Sequence, residues 1–509
     1  MMENNKFYDA IEKEANIITT ENGALSFKST LNKNLDFFAQ ASAKRGDEKV
    51  FEQLFEPAFL EDYDLALKNL FYLRDIREGN GERQIFRDCL EKFFKNFKKY
   101  NIKVSKESIR NFLKLIPEYG RWDDLIELNT FSGAFENIKI GIIKYQISKD
   151  MKNALNGKPV SLLAKWFPIL NNVSNPERAK IAKKLCYKVF NGDFKKARRI
   201  IGDLRAYIDI TEKKMSANKW NDIDYSKVPS RASMLYRNAF RRHDSVRYDE
   251  YIVNVKSGKE KINSKVLEPY EIVRDYCKLE MLDDNEYDPV LEELWKAIPT
   301  NVNTENGICV VDVSGSMCYH RSNLKPIDVA ISLGIYFAER NPTKCFRNKF
   351  ITFSTTPSFV SLENCHSLNE KINKASDADW GGNTDICAVF ELILAAAKKN
   401  NLKNSDMPKN IFIISDMQFN ACCYFGVKKS IFETIKEKYR ESGYDMPSIC
   451  FWNVAAREGN LPVLNDAKNV TLLSGFSKNN FKFCTEGKTP LEMMKEVLLS
   501  DRYKNVMLS

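Results

Sequence analysis

The most informative residues of this chain are three oxygen-bearing side chains that follow an apolar run. The segment 308–317 is ICVVDVSGSM, so Asp312, Ser314 and Ser316 come at the end of a stretch typical of a buried strand. In open α/β sheets, ligands bind beyond the carboxyl ends of the strands. Hard cations such as Mg²⁺ prefer oxygen ligands. The spacing therefore predicts a divalent-cation site in the turn after this strand.

Two later segments supply further oxygen atoms. A glycine-rich loop at 380–385 is WGGNTD, and a second apolar run at 410–416 is NIFIISD. Thr384 is suited both to capping a helix and to binding the ion, whereas Asp385 fits a capping role equally well. Asp416 ends a strand that we expect beside the first one, which would bring its carboxylate to the same sheet edge.

The pattern Asp312-x-Ser314-x-Ser316 with Thr384 and Asp416 resembles the metal-ion-dependent adhesion site of von Willebrand factor A domains. The resemblance implies that the three hydroxyls contact the ion, while the two aspartates hold waters or hydroxyls around it. It also implies a bound Mg²⁺ or Mn²⁺ that attracts a carboxylate from a partner. The simpler alternative is an ordinary strand-to-helix turn in which serine and aspartate act as capping residues.

A serine hydrolase is the enzymatic alternative for the same serines. The segment lacks the Gly-x-Ser-x-Gly elbow, and of the three histidines, His243, His320 and His366, only His320 is close to it in sequence. A general base for Ser314 or Ser316 is therefore hard to find. We expect a binding protein and no enzyme.

Strand-like and helix-like patterns alternate through the C-terminal part of the chain. Strands are predicted at 308–312, 349–353, 411–415, 448–454 and 470–473. Helices are predicted at 327–339, 386–399, 427–441 and 490–499. Such alternation is typical of a mostly parallel sheet covered by helices. Together with the metal motif, it predicts an α/β, Rossmann-like von Willebrand factor A domain over residues 300–509.

Residues 1–299 have almost wholly helical patterns, with apolar side chains at helical spacing. Helices are predicted there at 64–74, 82–97, 108–116, 122–128 and 135–153. Gly79 and Gly81 fit a tight turn between two helices and no dinucleotide site, because no strand precedes them. Successive helical hairpins predict an all-α, HEAT-like solenoid domain.

Positive charge is concentrated in one segment. The 509 residues contain 78 Lys and Arg against 68 Asp and Glu, a formal charge of +10. Residues 178–247 contain 19 basic and 7 acidic side chains, and the other residues, with 59 and 61, are nearly neutral. Basic side chains neutralise phosphates with release of counterions. The candidate phosphate contacts are Lys195, Lys196, Arg198, Arg199, Arg237, Arg241 and Arg242.

Aromatic residues lie among these cations, and aromatic rings can stack on unpaired bases. They are Tyr207, Trp220, Tyr225 and Tyr248. Single-stranded or structured RNA is therefore the predicted ligand of the segment. The alternative is a set of solvated helix faces whose aromatic residues belong to the core.

Several stretches resemble the Ro, or TROVE-module, ribonucleoproteins, and more closely a relative of them found in viruses, phages, bacteria and plants. They are LRDIR at 73–77 with Gly79 and Gly81, YGRWDDL at 119–125, LAKWFP at 163–168, KWNDIDY at 219–225 with VPS at 228–230, and DVSGS at 312–316. The resemblance implies helical repeats that form a ring closed by the A domain. It also implies RNA ends in a basic hole, a small structured RNA on the outer basic surface, and no catalysis.

Two function classes remain open. The first is a ring-shaped RNA-binding protein whose A domain recruits a partner. The second is a protein scaffold in which the metal site captures a carboxylate of a client and the basic segment meets acidic protein. The dependence of RNA binding on salt would distinguish them.

The segment 1–22 is polar and unlike a signal peptide, and no apolar run reaches the membrane-spanning length of about eighteen residues. We therefore expect a cytoplasmic protein with no membrane partner. Several of the 12 cysteines, such as Cys309, Cys387 and Cys450, lie in apolar runs. We expect these to be buried free thiols in a reducing compartment, and we expect no zinc site.

Overall fold

The structure is a computed structural model that describes residue 11 and residues 14–128, 132–170, 175–280, 287–302, 304–318, 324–353, 356–377, 383–421, 430–484 and 487–508. The chain divides into two compact units. Unit 1 contains Met1–Asn69 and Ser264–Ser500, and unit 2 contains Leu70–Asn263 and Asp501–Ser509. The domain boundary predicted between residues 299 and 300 stays a prediction. Packing groups residues 264–299 with the unit that contains the sheet.

The strands of the described residues are β1 (Ile17–Thr19), β2 (Leu25–Phe27), β3 (Gly307–Asp312), β4 (Lys349–Phe353), β5 (Ser358–Ser361), β6 (Asn410–Ser415), β7 (Ser448–Asn453) and β8 (Val470–Ser474). Unit 1 is built on a mixed sheet with the strand order β5-β4-β3-β6-β7-β8. Strand β5 is antiparallel to β4, and the other neighbours are parallel. All residues of β3, β6, β7 and β8 are buried, which is typical of strands covered on both faces. The predicted mostly parallel C-terminal sheet is confirmed.

The α-helices of the described residues are α1 (Lys33–Gln40), α2 (Glu56–Glu61), α3 (Tyr63–Arg74), α4 (Gln84–Lys95), α5 (Lys106–Tyr119), α6 (Trp122–Ile126), α7 (Gly133–Leu155), α8 (Leu163–Trp166), α9 (Pro176–Phe190), α10 (Phe194–Tyr207), α11 (Thr211–Ser216), α12 (Ser230–Lys256), α13 (Pro269–Glu280), α14 (Pro289–Lys296), α15 (Pro326–Arg340), α16 (Leu368–Ser376), α17 (Ile386–Lys399), α18 (Ile431–Ser442) and α19 (Pro490–Leu498). The predicted predominance of helix before residue 300 is thus confirmed. The structure places these helices in two compact units.

Helices α15, α17 and α18 pack on the sheet and fix its carboxyl edge. On α15, Gly334 lies so close to β3 that a Cβ atom there would come within 2.6 Å of Val311 Cγ2. Only glycine permits this approach of helix to strand. Ile386 and Phe390 of α17 and Ile435 of α18 lie in one apolar core with the strands. The sheet and these helices therefore form a rigid support for the turns that follow β3 and β6.

An N-terminal hairpin in unit 1 is absent from the sequence-based prediction, which made residues 1–299 all-α. Strands β1 and β2 pair antiparallel, with Ile17 opposite Phe27. Phe27 in turn exchanges two backbone hydrogen bonds of 2.9 Å with Leu461. Three-residue strands are too short to give a periodic pattern. The hairpin is also bridged to residues distant in the chain, Gly23 to Asn420 and Phe27 to Leu461. Strand β5 and helix α16 were missed as well.

A buried ion-pair network explains two of the motifs in unit 2. Arg74, which is 1% exposed, donates from Nε and Nη2 to Asp124 Oδ2 at 2.9 and 2.8 Å. Arg87 donates from Nε to Asp124 Oδ1 at 2.8 Å and lies 3.0 Å from Asp123. A Cβ atom on Gly120 would come within 2.3 Å of the Asp124 carboxylate, so this glycine makes room for the network. These charged groups have a structural role, because they pair with one another inside unit 2.

The C-terminal residues 501–508 pack into unit 2. The guanidinium of Arg502 forms two hydrogen bonds with Asp75, of 2.8 and 2.9 Å, and lies 4.5 Å above the ring of Tyr119. The hydroxyl of Tyr503 also donates to Asp75, at 3.2 Å. Val506 and Leu508 are buried. The end of the described chain is therefore an integral part of this helical unit.

Candidate functional site

The first candidate site lies in unit 1, where β3 and β6 end side by side. The parallel register pairs Val311 with Ile414, so Asp312 and Ser415 end the two strands next to each other. The hydroxyl of Ser415 donates to Asp312 Oδ2 at 2.5 Å. Asp312 and Asp416 are both 0% exposed. The structure thus brings the two carboxylates to one edge of the sheet, as the strand pattern indicates.

The turn after β3 orients the two serines. The backbone N–H of Ser314 donates to Asp312 Oδ1 at 2.9 Å, which is the hydrogen bond of an Asx turn. The hydroxyl oxygens of Ser314 and Ser316 lie 3.0 Å apart. Ser314 is buried and Ser316 is half-buried. One short turn therefore presents a carboxylate and two hydroxyls within a few ångströms.

The electrostatics at this edge disfavour two negative charges. Burial and the neighbouring Asp416 carboxylate raise the pKa of Asp312 to about 7. Hydrogen bonds from Ser415 and Ser314 act in the opposite direction, because they stabilise the ionised carboxylate. The guanidinium of Arg457 supplies one positive charge at this edge, since its Nη2 lies 3.0 Å from Asp416 Oδ2.

Thr384 lies in the loop before α17, and this loop is joined to the segment after β6. The backbone N–H of Thr384 donates to the Asn420 side chain at 3.2 Å, and the N–H of Asn420 donates to the Thr384 carbonyl at 2.8 Å. The hydroxyl oxygen of Thr384 is buried and has no hydrogen-bond partner within the described residues. Asp385 caps α17, since its carboxylate accepts from the N–H of Ala388 at 3.0 Å.

The predicted loop is described only in part. Trp380, Gly381 and Gly382 lie outside the described residues, as does His320. Of the five predicted ligands, Asp312, Ser314, Ser316 and Asp416 share the ends of β3 and β6, and Thr384 is tethered to the same region through Asn420.

These residues fit a hard divalent cation. Hydroxyl and carboxylate oxygens are the ligands that Mg²⁺ and Mn²⁺ prefer. A buried hydroxyl without a partner, such as that of Thr384, is unfavourable, and coordination would satisfy it. In the part of the chain that the structure describes, no group of three or more His, Cys, Asp or Glu side chains could hold a metal ion. A cation site at the sheet edge therefore depends on hydroxyl ligands.

Two neighbours of this edge were missed from the sequence. Arg457, after β7, places Nη2 3.0 Å from Asp416 Oδ2 and 3.2 Å from Glu21 Oε2. The hairpin that carries Glu21 is held by Thr20, whose hydroxyl donates to the Phe419 carbonyl at 2.6 Å. Because these contacts join residues far apart in the chain, no local pattern in the sequence could have indicated them.

The second candidate site is the exposed face of α10 in unit 2. Ala197, Ile200, Ile201 and Leu204 bury the opposite face of this helix. The four predicted phosphate contacts on α10 are all exposed; they are Lys195, Lys196, Arg198 and Arg199. None of the four forms an ion pair with a carboxylate in the described part of the chain. We call these four side chains the α10 cations.

The three arginines predicted on α12 differ from the α10 cations. Arg237 is only 7% exposed, and its guanidinium donates to the Met234 carbonyl at 2.7 Å. Arg241 is half-buried, whereas Arg242 is exposed. The structure therefore leaves Arg242 on the surface but places Arg237 in the packing of α12, because position 237 shares the buried face of that helix with Phe240.

The aromatic residues of the basic segment also differ in exposure, since some are buried and others lie on the surface. Tyr225 and Tyr248 are buried and pack on each other with ring centroids 4.8 Å apart, as the structural alternative predicted. Trp220 stacks on His243 at 4.4 Å, and Tyr207 is exposed. Tyr187, which the sequence analysis did not select, is 65% exposed and lies beside Gly192 in the turn between α9 and α10. Tyr187 therefore adds an exposed aromatic ring near the start of α10, and Tyr207 is exposed at the other end of that helix.

Cysteine chemistry follows the prediction with one correction. Cys309 and Cys450 are buried free thiols, and burial raises the pKa of both. Cys387 is disulfide-bonded, so the prediction of a free thiol at that position is wrong.

Among the described residues, no helix is both long and apolar enough to cross a membrane.

Comparison with known families covers almost the whole chain. Residues 20–132 and 143–307 match the model of a domain of unknown function, DUF2828, and residues 306–505 match that of another, DUF7788. The chain belongs to the DUF2828 family. It is 31% identical over 523 residues to "Uncharacterized protein L728" of Acanthamoeba polyphaga mimivirus, with 95% of this chain and 87% of that protein covered. The junction of the two family models, at 306–307, lies close to the start of β3.

Among solved structures, the chain matches the Ro (RSR) protein of Deinococcus radiodurans. The match covers 89% of this chain and 99% of the other, at 14% sequence identity and a TM-score of 0.38.

Proposed function

We propose that this protein binds RNA without catalysing a reaction, and that the α10 cations are its principal phosphate contacts. The observation that carries the proposal is that these four side chains are exposed on one helix and have no ion-pair partner among the described residues. They lie within the segment that contains the whole positive surplus of the chain. Exposed cations are ordinarily interspersed with carboxylates on a solvated surface. On α10 the exposed cations outnumber the exposed carboxylate of Asp203, and such a surplus of positive charge is suited to a polyanion.

The spacing of the α10 cations supports contact with a single strand. Lys195 and Arg199 are four residues apart, so they are neighbours along the helix surface, and Lys196 and Arg198 flank them. The buried face of α10 holds the helix against a core that includes Leu185 and Val189 of α9. The cations are therefore presented on a rigid element.

Tyr187 adds the second component of single-strand recognition. It lies at the end of α9, beside the turn that leads into α10. Lys183, one turn earlier on α9, is also exposed and unpaired among the described residues. Stacking of a base on an exposed aromatic ring contributes about 1–3 kcal/mol and tolerates any sequence. We propose that Tyr187 stacks on an unpaired base of the bound RNA.

The test is binding of the full chain to a labelled single-stranded RNA, followed by fluorescence anisotropy at several salt concentrations. If four phosphates are neutralised, the slope of log K against log salt should be about −3 for a single strand. Binding should weaken by more than tenfold between about 50 and about 200 mM KCl. Absence of saturable binding at the lower salt concentration would contradict the proposal and favour the protein scaffold.

We also propose an overall architecture for this RNA-binding protein. The motifs that resemble Ro proteins suggest HEAT-like repeats bent into a ring, and the order of the five oxygen-bearing residues suggests a von Willebrand factor A domain. Support comes from the mixed sheet with Asp312 and Asp416 at its edge and from the succession of helices in unit 2. A cytoplasmic location, where RNA is accessible, belongs to this proposal too.

We propose a second function for the sheet edge in unit 1, which is the capture of a protein partner. A Mg²⁺ or Mn²⁺ ion bound there would bind a carboxylate of that partner. Ser314, Ser316 and Thr384 would contact the ion, and Asp312 and Asp416 would hold its waters. The bound ion would supply a positive charge with a coordination position for an outside anion. The supporting observation is that the buried Thr384 hydroxyl has no hydrogen-bond partner among the described residues. The same region contains the Asp312 carboxylate, whose pKa is raised by burial and by Asp416, although Arg457 lies 3.0 Å from Asp416.

Thr384→Val tests this second function. Valine has nearly the same shape, so in the absence of divalent ions the variant should be as stable as the wild type or more stable, since an unsatisfied hydroxyl is removed. The wild type should gain about 2.7 kcal/mol of stability at an ion concentration of a hundred dissociation constants, and the variant should gain almost none. Thermal unfolding with and without MgCl₂ or MnCl₂ measures both effects.

Thr434→Val is the matched control, because the Thr434 hydroxyl bonds the Ser430 carbonyl at 3.0 Å on α18 and Thr434 is none of the five predicted ligands. It should keep the full metal-dependent gain. Equal gains in wild type and Thr384→Val would exclude Thr384 as a ligand.

A further inference from the structure

A positively charged side chain lies at the sheet edge where we propose the metal site. Nη2 of Arg457 is 3.0 Å from Asp416 Oδ2, and Asp416 is 0% exposed. The other oxygen of this carboxylate, Oδ1, accepts a hydrogen bond of 3.1 Å from the backbone N–H of Gln418. Both oxygens of Asp416 therefore have a partner, and the partner of Oδ2 is a cation.

Arg457 has a second carboxylate within reach. The same nitrogen atom, Nη2, lies 3.2 Å from Glu21 Oε2. The carboxylate of Asp416 is buried, whereas the side chain of Glu21 is 44% exposed. Nε of Arg457 is buried and has no hydrogen-bond partner among the described residues. Movement of the guanidinium from Asp416 towards Glu21 would therefore break one ion pair and keep the other.

The turn of the β1–β2 hairpin holds Glu21 in place. The backbone N–H of Glu21 donates to Gln418 Oε1 at 3.0 Å, and the side chain of Asn22 donates to the Gln418 carbonyl at 2.6 Å. The backbone N–H of the same glutamine bonds Asp416, so a single residue joins the hairpin to a predicted metal ligand. Glu21 is therefore a fixed anchor for Arg457 beside the site.

A divalent ion and Arg457 would compete for the Asp416 carboxylate. In the proposed site Asp416 holds waters of the ion, so a bound ion would bring two further positive charges close to the guanidinium. Like charges repel each other, and the repulsion is stronger beside a buried carboxylate than in open water, because the surroundings screen it less. Release of Asp416 by Arg457 would remove this repulsion.

We propose that Arg457 and Glu21 form a switch that controls metal binding at the sheet edge. Without the ion, Arg457 pairs with Asp416 and Glu21 together. When the ion binds, Arg457 leaves Asp416 and stays paired with Glu21. This inference rests on the proposed metal site and gives the N-terminal hairpin a part in its regulation. The alternative is a permanent ion pair that only stabilises the edge.

Isothermal titration calorimetry of the full chain with MgCl₂ and with MnCl₂ tests the switch. Arg457→Gln removes the competing charge and keeps a polar side chain. Its affinity for the ion should be about tenfold higher than that of the wild type, which corresponds to about 1.4 kcal/mol. A permanent ion pair predicts no such gain.

Glu21→Gln should act in the opposite direction. Among the described residues, Arg457 then has Asp416 as its only anion, so the ion displaces it less readily. Affinity should fall by about twofold to fivefold, as expected for loss of a partly exposed ion pair. The double variant should bind the ion like Arg457→Gln alone, because Glu21 acts through Arg457. Equal weakening in both backgrounds would mean that Glu21 acts by its own charge, which overturns its part in the switch.

Lys349→Gln is the matched control for the change in charge. The side chain of Lys349 is 24% exposed, like that of Arg457, and it pairs with Glu363 at 2.9 Å. Lys349 is the first residue of β4, which runs parallel to β3, so it lies at the opposite end of these strands from Asp312. This variant should bind the ion like the wild type. A tenfold gain here as well would refute a specific role of Arg457.

The outcomes separate failure of the switch from failure of the metal site. If neither the wild type nor Arg457→Gln binds Mg²⁺ or Mn²⁺, the site itself is wrong, and the switch with it. If Arg457→Gln binds the ion as tightly as the wild type or more weakly, the site stands and the switch is refuted. Circular dichroism shows whether Arg457→Gln is folded. If it is unfolded, Glu21→Gln decides, since it changes a partly exposed side chain, and unchanged or higher affinity in that variant refutes the switch.

Discussion

Asp124→Asn is expected to lower the free energy of unfolding of unit 2 by about 3–5 kcal/mol. Asp124 is 0% exposed, and its carboxylate accepts hydrogen bonds from the side chains of Arg74 and Arg87 and from the backbone N–H of Arg121. Asparagine keeps the size but removes the charge, so the buried guanidinium of Arg74 loses its compensating anion. Urea unfolding followed by far-ultraviolet circular dichroism measures the change.

Asp501→Asn is the control for this prediction. Asp501 lies in the same unit and pairs with Lys504 at 3.3 Å, but its side chain is 97% exposed. Removal of an exposed pair should change stability by less than about 1 kcal/mol. If the two asparagine variants unfold at the same urea concentration, the network around Asp124 does not stabilise the unit in the way described.

Reversal of the α10 cations to glutamate is expected to reduce the affinity for single-stranded RNA by about a hundredfold or more. Each of the four contacts would be replaced by repulsion between a carboxylate and a phosphate, and the release of four counterions would be lost. The slope of log K against log salt should therefore become shallower by about 3. Anisotropy titrations of wild type and variant in parallel give both quantities.

A matched reversal on unit 1 controls for the change in net charge. Lys398, Lys399, Lys403 and Lys436 are exposed lysines on that unit, and their change to glutamate alters the total charge by the same amount. This variant should keep the wild-type salt slope. Equal losses in the two variants would mean that RNA responds to overall charge and recognises no particular face.

Local sequence patterns were sufficient for the strands that form the candidate metal site. Continuous apolar runs predicted β3 and β6. The predicted strands end at Asp312 and Ser415, which are also the last residues of β3 and β6 in the structure. Because parallel strands in an α/β sheet have their carboxyl ends at one edge, the neighbourhood of Asp312 and Asp416 followed from the pattern. The exposed α10 cations could also be inferred, since helical spacing separates them from the buried Ile200 and Leu204.

Contacts between distant segments could not be inferred in the same way. The hairpin β1–β2 pairs with Leu461, and Arg457 bridges Asp416 and Glu21, although no short stretch of sequence relates these residues. The same holds for Arg502, which binds Asp75 across more than 400 positions. Such contacts between distant residues form only when a whole unit packs together.

Apart from β1, β2, β5 and α16, the sequence by itself determined whether a region is helical or forms strands, and it determined the chemical character of the surface, because side-chain periodicity and charge are local properties. Only the tertiary structure decided which polar groups are satisfied. It buried Arg237 against a carbonyl, left the Thr384 hydroxyl without a partner among the described residues, and set Arg121 on the ring of Trp166. Whether a charge is compensated depends on neighbours in space, and these are fixed only when the chain has folded.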